Sequence, residues 1–230
     1  MTEFLIAIAV FVVAHVVPPA PPVRQRLIAL FGRRAYMAGY SLLSLGLIAW
    51  IIAAAHRAPY VPLWTPAPWQ TLVPIVVMPL AAWLLVAGLA EANPLSISLR
   101  GGDATEPGPA VAVTRHPVLW AFLLWAASHM VPNGDVVSLI LFGGMAILAL
   151  AGLAVVDRRA RRRLGEERWK NLAATTSVVP FVALATGRAR LRASLRFGLS
   201  LVAAAALYLW FLLQGHIWLI GVDPLGLLGY

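Results

Sequence analysis

The sequence predicts an all-α protein, a polytopic transmembrane helical bundle of about six spans. Composition is the first reason. Hydrophobic residues make up 61% of the 230-residue chain and charged residues 12%, with a mean hydropathy of +0.83, whereas a soluble domain is about a quarter charged. The second is run length: several stretches approach the roughly 20 apolar residues that cross about 30 Å of hydrocarbon. These runs are continuously apolar rather than alternating about every second residue, which argues against a β-barrel.

Span one is Phe4–Val17, with His15 near its end. It is closed by Pro18-Pro19-Ala20-Pro21-Pro22, a stretch through which no helix continues. Glu3 and the lack of a basic n-region predict that this span stays in place rather than being removed as a signal. A loop with Arg24, Arg26, Arg33 and Arg34 follows. Span two, about Tyr36–Ala55, offers Gly39 and Gly46 for close helix contact and ends at His56-Arg57. Pro59, Pro62, Pro66 and Pro68, with Tyr60, Trp64 and Trp69, then form a rigid aromatic loop of the kind found at membrane interfaces.

Span three, about Leu72–Ala90, is interrupted by Pro79, which predicts a kink. Asn93-Pro94 and Gly101–Pro109 make a polar loop. Span four, Val118–Val131, is short: it either starts before Arg115 or stops short of a full crossing. Pro132-Asn133-Gly134-Asp135 has tight-turn chemistry. It makes spans four and five (about Val137–Val156, with Gly143-Gly144) an antiparallel helical hairpin. A basic segment from Arg158 to Lys170 follows, where each charge adds about 1 kcal/mol of attraction to an anionic cytoplasmic face. After Ser177–Phe181, Arg188, Arg190, Arg192 and Arg196 precede span six, about Phe197–Leu213. The apolar tail to Tyr230 either extends that span or lies in the interface.

The net charge is +9, but its distribution argues against nucleic acid, which needs a basic patch on a water-facing fold. All Lys and Arg except Arg57 fall in segments that alternate between apolar spans, as cytoplasmic loops should. The expected setting is therefore a bacterial inner membrane, with basic loops cytoplasmic and both termini, the N-terminus included, periplasmic. Cysteine is absent, which excludes thiol chemistry, iron–sulfur clusters and a cysteine metal ligand.

Chemistry is expected around Thr114-Arg115-His116-Pro117 and the segment that follows it, Trp120, Trp125 and His129. Ionisable groups inside a membrane are costly and mark functional sites by default. If span one enters from outside at Phe4 and span four from inside at Val118, His15 and His129 each lie about 17 Å along their helices. Each then passes the midplane of a roughly 30 Å core from its own side. Two imidazoles at matching depth on antiparallel helices are what axial haem ligation requires, with Trp120, Trp125, Phe122 and Phe11 as apolar walls and basic loops to meet propionates. The other reading makes each histidine a satisfied core group, hydrogen-bonded across helices. Arg115-His116-Pro117 also has two readings. It is a catalytic element, or an interfacial arginine and histidine ahead of a first-turn proline.

Thr114-Arg115-His116-Pro117, the Trp125/His129 segment, Asn133-Gly134-Asp135, Phe142-Gly143 and Asp157-Arg158-Arg159 resemble the signature of the NnrU family over roughly residues 4–185. His15 and the Gly-rich second span fit as well. The family includes bacterial proteins linked to denitrification and the zeta-carotene isomerases, which are membrane haem b enzymes that turn a central cis double bond of a polyene to trans. The resemblance implies haem b with His15 and His129 as iron ligands and Trp125 and Arg115 beside the cofactor. It also implies His116, with Arg115, as the catalytic candidate, and His56 as a further matching histidine. The cysteine near the second ligand of the plant enzyme has no counterpart here, which puts a thiolate ligand switch in doubt. The expected division is an NnrU-like membrane domain over 1–185 and an additional C-terminal span and tail over 186–230. The expected partners are the lipid bilayer and a lipophilic small molecule.

A second resemblance belongs to another class. Arg115-His116-Pro117, an apolar hairpin, Arg163–Trp169 and Val178-Val179-Pro180-Phe181 are similar to isoprenylcysteine carboxyl methyltransferases. There, Arg-His-Pro and a carboxylate pair bind S-adenosylmethionine. The corresponding pair here is Val156-Asp157, with one carboxylate missing. A non-catalytic assembly or regulatory membrane protein is the third expectation.

Overall fold

The computed structural model describes residues 1–100 and 107–226. Among these, every regular element is helical apart from one isolated β-bridge, Pro62 to Asp135. The elements are α1 (Thr2–Val16), α2 (Pro21–Arg57), α3 (Pro68–Ala90), α4 (Ala110–Val113), α5 (Pro117–Met130), α6 (Val136–Leu164), α7 (Glu166–Ala174), α8 (Val182–Ala185), α9 (Leu195–Trp210), a π-helical turn (Phe211–Gly215) and α10 (His216–Ile220). Four helices are long and apolar enough to cross a membrane: α2, α3, α6 and the continuous rod Leu195–Ile220. The helices α1 and α5 are apolar but shorter. The all-helical, multi-pass character expected from composition is what the chain adopts.

Proline and short polar side chains set the starts. Pro occupies the first turn of α2, α3 and α5, where its fixed φ suits the helix and its missing N–H goes unneeded. Ser194 caps α9 by accepting from Phe197 N at 3.2 Å. The Asp135 carboxylate accepts from Ser138 N at 3.0 Å ahead of α6, the usual N-cap arrangement.

The chain divides into two compact units, Met1–Leu63 with Asp135–Leu141 and Trp64–Gly134 with Phe142–Tyr230. In unit 1, α1 lies antiparallel to α2. Glu3 meets Trp50 and Arg57, His15 meets Ser44, and the Tyr36 hydroxyl donates to Pro18 O. In unit 2, α3 is the central helix, packed against both α5 and α9. Its core includes Trp83, Leu84, Ala87, Ala121 and Ala204. Trp83 Nε1 donates to Ser200 Oγ at 3.2 Å, and the Tyr208 hydroxyl to Ile75 O at 3.0 Å. A clasp joins the start of unit 2 to the turn after α5: Trp64 N donates to Gly134 O at 3.2 Å and Trp64 Nε1 to Val131 O at 3.1 Å. The α5–α6 hairpin is antiparallel, with Leu119 against Gly152, and Trp125 and His129 against Phe142.

Several sequence expectations change. The basic stretch before span two is not a loop. It is the first part of α2, which runs from Pro21 and breaks only at Gly32 (φ 80, ψ 158), a conformation that favours glycine. Pro74 and Pro79 both sit inside α3 without ending it. Gly39 and Gly46 have open space where a Cβ would stand. The close approaches fall instead at Gly88, where a Cβ would lie 2.9 Å from Pro117 and Val118, and at Gly152, 3.1 Å from Leu119. The helix of span five continues through Arg158–Arg163 to Leu164, and the last span reaches Ile220. Part of the polar loop, residues 101–106, lies outside the described residues, as does the end of the tail, residues 227–230.

Candidate functional site

The segment between α4 and α5 is the most buried polar element of unit 2. Pro117 pushes the residue before it out of the helical region, and His116 has φ −123, ψ 63. Arg115 N donates to Ser177 O at 2.7 Å and Thr114 Oγ1 to Val178 O at 2.9 Å. Asn93 Nδ2 donates to Arg115 O at 3.0 Å, and Trp120 Nε1 to Val178 O at 2.8 Å. The Ser177-Val178 link thus anchors Thr114, Arg115 and Trp120.

The Arg115 side chain points into the bundle end. Its Nε donates to Thr176 Oγ1 at 2.9 Å, one terminal nitrogen to Asp157 Oδ1 at 2.9 Å, and the other to Ala173 O at 3.3 Å. The guanidinium also lies 5.3 Å from the Trp169 ring centre, as does that of Arg161. Three of its five N–H donors are thereby committed to the protein.

His116 is fully buried. Its Nδ1 is 2.9 Å from Ser96 Oγ, and its Nε2 stands 3.4 Å from Asp157 Oδ1 without a hydrogen bond to it. Burial pushes the imidazole down to about 4, assisted by Arg115, while Asp157 pulls the other way. Since Arg115 already balances Asp157, the imidazole is neutral at neutral pH. The carboxylate opposite Nε2 favours the proton there, and Ser96 then donates to Nδ1. Glu91 lies at the same end of unit 2. Its Oε2 accepts from Ala110 N at 2.8 Å, and burial raises its carboxyl above the usual range against that bond. Among the described residues, three buried polar atoms here have no hydrogen-bond partner: Glu91 Oε1, His116 Nε2 and Trp169 Nε1. Buried polar atoms are nearly always paired, so this end is short of acceptors and donors that a ligand or water would supply.

The remaining histidines sit on apolar helices. In unit 1, His15 Nδ1 is 2.8 Å from Phe11 O, four residues back, and the ring stacks on Phe11. Its Nε2 is 3.2 Å from Ser44 Oγ, which also bonds Tyr40 O at 2.9 Å. A serine has one proton, so the Nε2 lone pair and Tyr40 O compete for it. An apolar cavity of about 360 Å³, lined by Leu27, Phe31, Tyr36, Gly39, Tyr40 and Leu43 among others, lies beside Tyr40, whose ring is edge-on to His15. In unit 2, His129 Nδ1 is 2.8 Å from Trp125 O, again four residues back. The Trp125 and Phe142 rings flank it, with centres 5.8 and 5.3 Å away. His56 is exposed at the end of α2.

These bonds bear on whether the residues fit a haem. A metal-binding histidine donates one ring N–H to a carbonyl and offers the other nitrogen to the metal. His15 and His129 both hold Nδ1 against the carbonyl four residues back; the His15 Nε2 faces Ser44 Oγ, which a metal would have to displace. Among the described residues no three His, Asp or Glu side chains gather as a metal site. A haem needs only one or two protein ligands, because the porphyrin supplies the equatorial nitrogens.

Of the residues singled out in the sequence, Arg115 and His116 come together, joined by Asp157. Trp125 and His129 come together on α5, and His15 lies in unit 1. Ser96, Asn93, Thr176 and Glu91 were not foreseen as parts of the Arg115–His116 cluster, and Trp169 was singled out only within the Arg163–Trp169 stretch. Each is an ordinary polar residue on a loop or short helix, and only the fold brings it to the cluster.

Apolar helices carrying histidines, with an Arg–His–Asp cluster at one bundle end, define a multi-pass membrane protein with buried ionisable chemistry. The sequence match is more specific. The model of the family described as NnrU protein matches residues 3–224, so the chain belongs to the NnrU family, as the motifs had implied. No curated protein and no solved structure matches the chain.

Proposed function

We propose that this chain is a haem b protein of the bacterial inner membrane, with His15 and His129 as imidazole ligands and basic segments on the cytoplasmic side. The single observation behind this reading is the shared Nδ1 bond of His15 and His129 to the carbonyl four residues back. It fixes the tautomer that leaves Nε2 as a lone-pair donor. The bound group would supply an iron suited either to cis–trans isomerisation of a lipophilic polyene or to nitric-oxide-related chemistry. The chain's own residues supply apolar walls at Phe11, Trp125 and Phe142 and a neutral buried imidazole at His116, held by Arg115, Asp157 and Ser96. Such a site receives its substrate from the bilayer.

Purification of the full chain in detergent tests this. A Soret band that shifts on reduction, with bound haem lost in the double variant His15→Ala/His129→Ala, is the expected result. A colourless protein that takes up no added haem overturns it.

One observation favours a second reading, an S-adenosylmethionine-dependent methyltransferase. The unpaired atoms of Glu91, His116 and Trp169 lie at the Arg-His-Pro end of the bundle. Against it, Asp157 is occupied by Arg115, which leaves no free carboxylate of the expected pair. Equilibrium dialysis with S-adenosylmethionine decides the point, with no binding expected. A chain that binds neither haem nor this cosubstrate would be an assembly or regulatory factor.

A further inference from the structure

The break at Gly32 (φ 80) gives unit 1 a concave apolar wall with a charged rim. Leu27 and Phe31, from before the break, and Gly39 and Leu43, from after it, line the cavity of about 360 Å³. Tyr36 belongs to the same wall and is held by the bond from its hydroxyl to Pro18 O at 3.3 Å. From Gly32 to Arg57, α2 rises about 38 Å, enough to set Gly32 at one face of a bilayer and Arg57 at the other. From Gly32 to Leu43 it rises about 16 Å. That is about half of a roughly 30 Å hydrocarbon core, so the groove opens at head-group level and runs down one leaflet.

The rim is cationic and lacks counter-charge. The Arg24 guanidinium stands 5.9 Å from the Tyr36 ring centre, which puts its charge at the mouth of the groove. Arg24, Leu27 and Phe31 follow one another three and four residues apart and so share one helix face. Arg26, Arg33 and Arg34 add charge on the same part of α2. The one acid in residues 1–63 is Glu3, at the other end of α1, where it pairs with Arg57. Among the described residues none of the four arginines makes an ion pair.

We propose that this groove holds one anionic glycerophospholipid, with an acyl chain along Leu27, Phe31, Gly39 and Leu43 and its phosphate on Arg24. The leaflet-long apolar wall selects the chain, and the uncompensated guanidinium selects the head group. A phosphate accepts paired, charge-assisted N–H bonds from arginine, which are stronger than neutral ones. Basic pockets beside membrane helices take acidic head groups for this reason. A neutral apolar molecule would gain nothing from Arg24, and a second copy of the chain would bring the same positive charge to it.

The test uses the full chain in detergent, stripped of lipid and titrated with phosphatidylglycerol or phosphatidylcholine while native mass spectrometry counts bound lipid. Wild type is expected to hold one phosphatidylglycerol several-fold more tightly than phosphatidylcholine. Arg24→Gln is expected to cut that preference about fivefold, the equivalent of about 1 kcal/mol for one basic side chain at a membrane surface. Arg26 lies about 200° further round the helix, so Arg26→Gln, which tests for diffuse attraction, should cost distinctly less. Gly39→Leu fills the groove. A Cβ at Gly39 meets nothing within 4 Å, so this variant is expected to keep its helical content and lose lipid of either head group. No preference in wild type, equal losses in Arg24→Gln and Arg26→Gln, or full binding in Gly39→Leu overturns the proposal. Dimers in place of lipid adducts, lost in Gly39→Leu, assign the groove to a second copy and overturn it as well. Haem content does not enter the readout, so the outcome is independent of the function proposed above.

Discussion

Asp157 on α6 sets its Oδ1 2.9 Å from the Arg115 guanidinium and 3.4 Å from His116 Nε2. One carboxylate thereby faces the two residues that precede α5, and it holds the far end of the α5–α6 hairpin together.

Removing that carboxylate leaves Arg115 buried without its counter-charge. Breaking a buried pair from one side costs about 3–5 kcal/mol. Asp157→Asn is expected to cost toward the lower figure, because the Asp157 side chain is 23% exposed. Chemical unfolding in detergent measures it. Arg115→Met in the Asp157→Asn background should recover part of the loss, and additive losses would mean the pair is not coupled.

His116 gives the fold a pH dependence. Its folded value near 4 lies below the ordinary 6.5, so the unfolded chain takes up the proton first. The contribution is complete above about pH 6.5, declines as pH falls toward 4, and is level below that. Its size is about 3 kcal/mol at most. The stability of wild type, read from unfolding curves, should fall with acid in that window, and that of His116→Gln should fall less. Parallel curves would refute a neutral buried imidazole.

Glycine substitutions separate tight contacts from open ones. Gly88→Val must push into Pro117 and Val118, and overpacking of this kind costs about 1–3 kcal/mol. Gly46→Ala meets nothing within 4 Å and removes a flexible residue from a helix, a gain of roughly 0.5–1 kcal/mol. Thermal stability in detergent ranks the two, and equal effects would contradict the contact.

Ser44 controls the His15 lone pair. Ser44→Ala removes the competing hydroxyl and is expected to raise haem retention on dilution if His15 is a ligand. If His15 only packs, it should cost about 1 kcal/mol of stability without a spectral change.

The apolar runs made the helices legible, because hydropathy over twenty residues depends on the chain alone. The ends were less so. Arg24 and Arg26 read as loop residues by charge, yet Pro21 and Pro22 start a helix there and Gly32 breaks it. Arg158–Arg163 read as a separate basic segment, yet nothing after Val156 stops the helix before Gly165. Within the site, Arg115 and His116 stood out as ionisable groups beside an apolar span. Ser96 and Thr176 did not, since their importance lies in reaching His116 Nδ1 and Arg115 Nε across the fold. Gly39 and Gly46 misled for the same reason: a small residue marks a close contact only where another helix is present.

The clasp of Trp64 on Gly134 has a topological consequence. Two points of a chain that touch share one water phase, so the path between them must traverse the bilayer an even number of times. Among the described residues from 64 to 134, the only helices of any length are α3 and the fourteen-residue α5. If the first goes across, the second must return, however short it is, and the Arg115–Asp157 pair then faces the opposite compartment from the clasp.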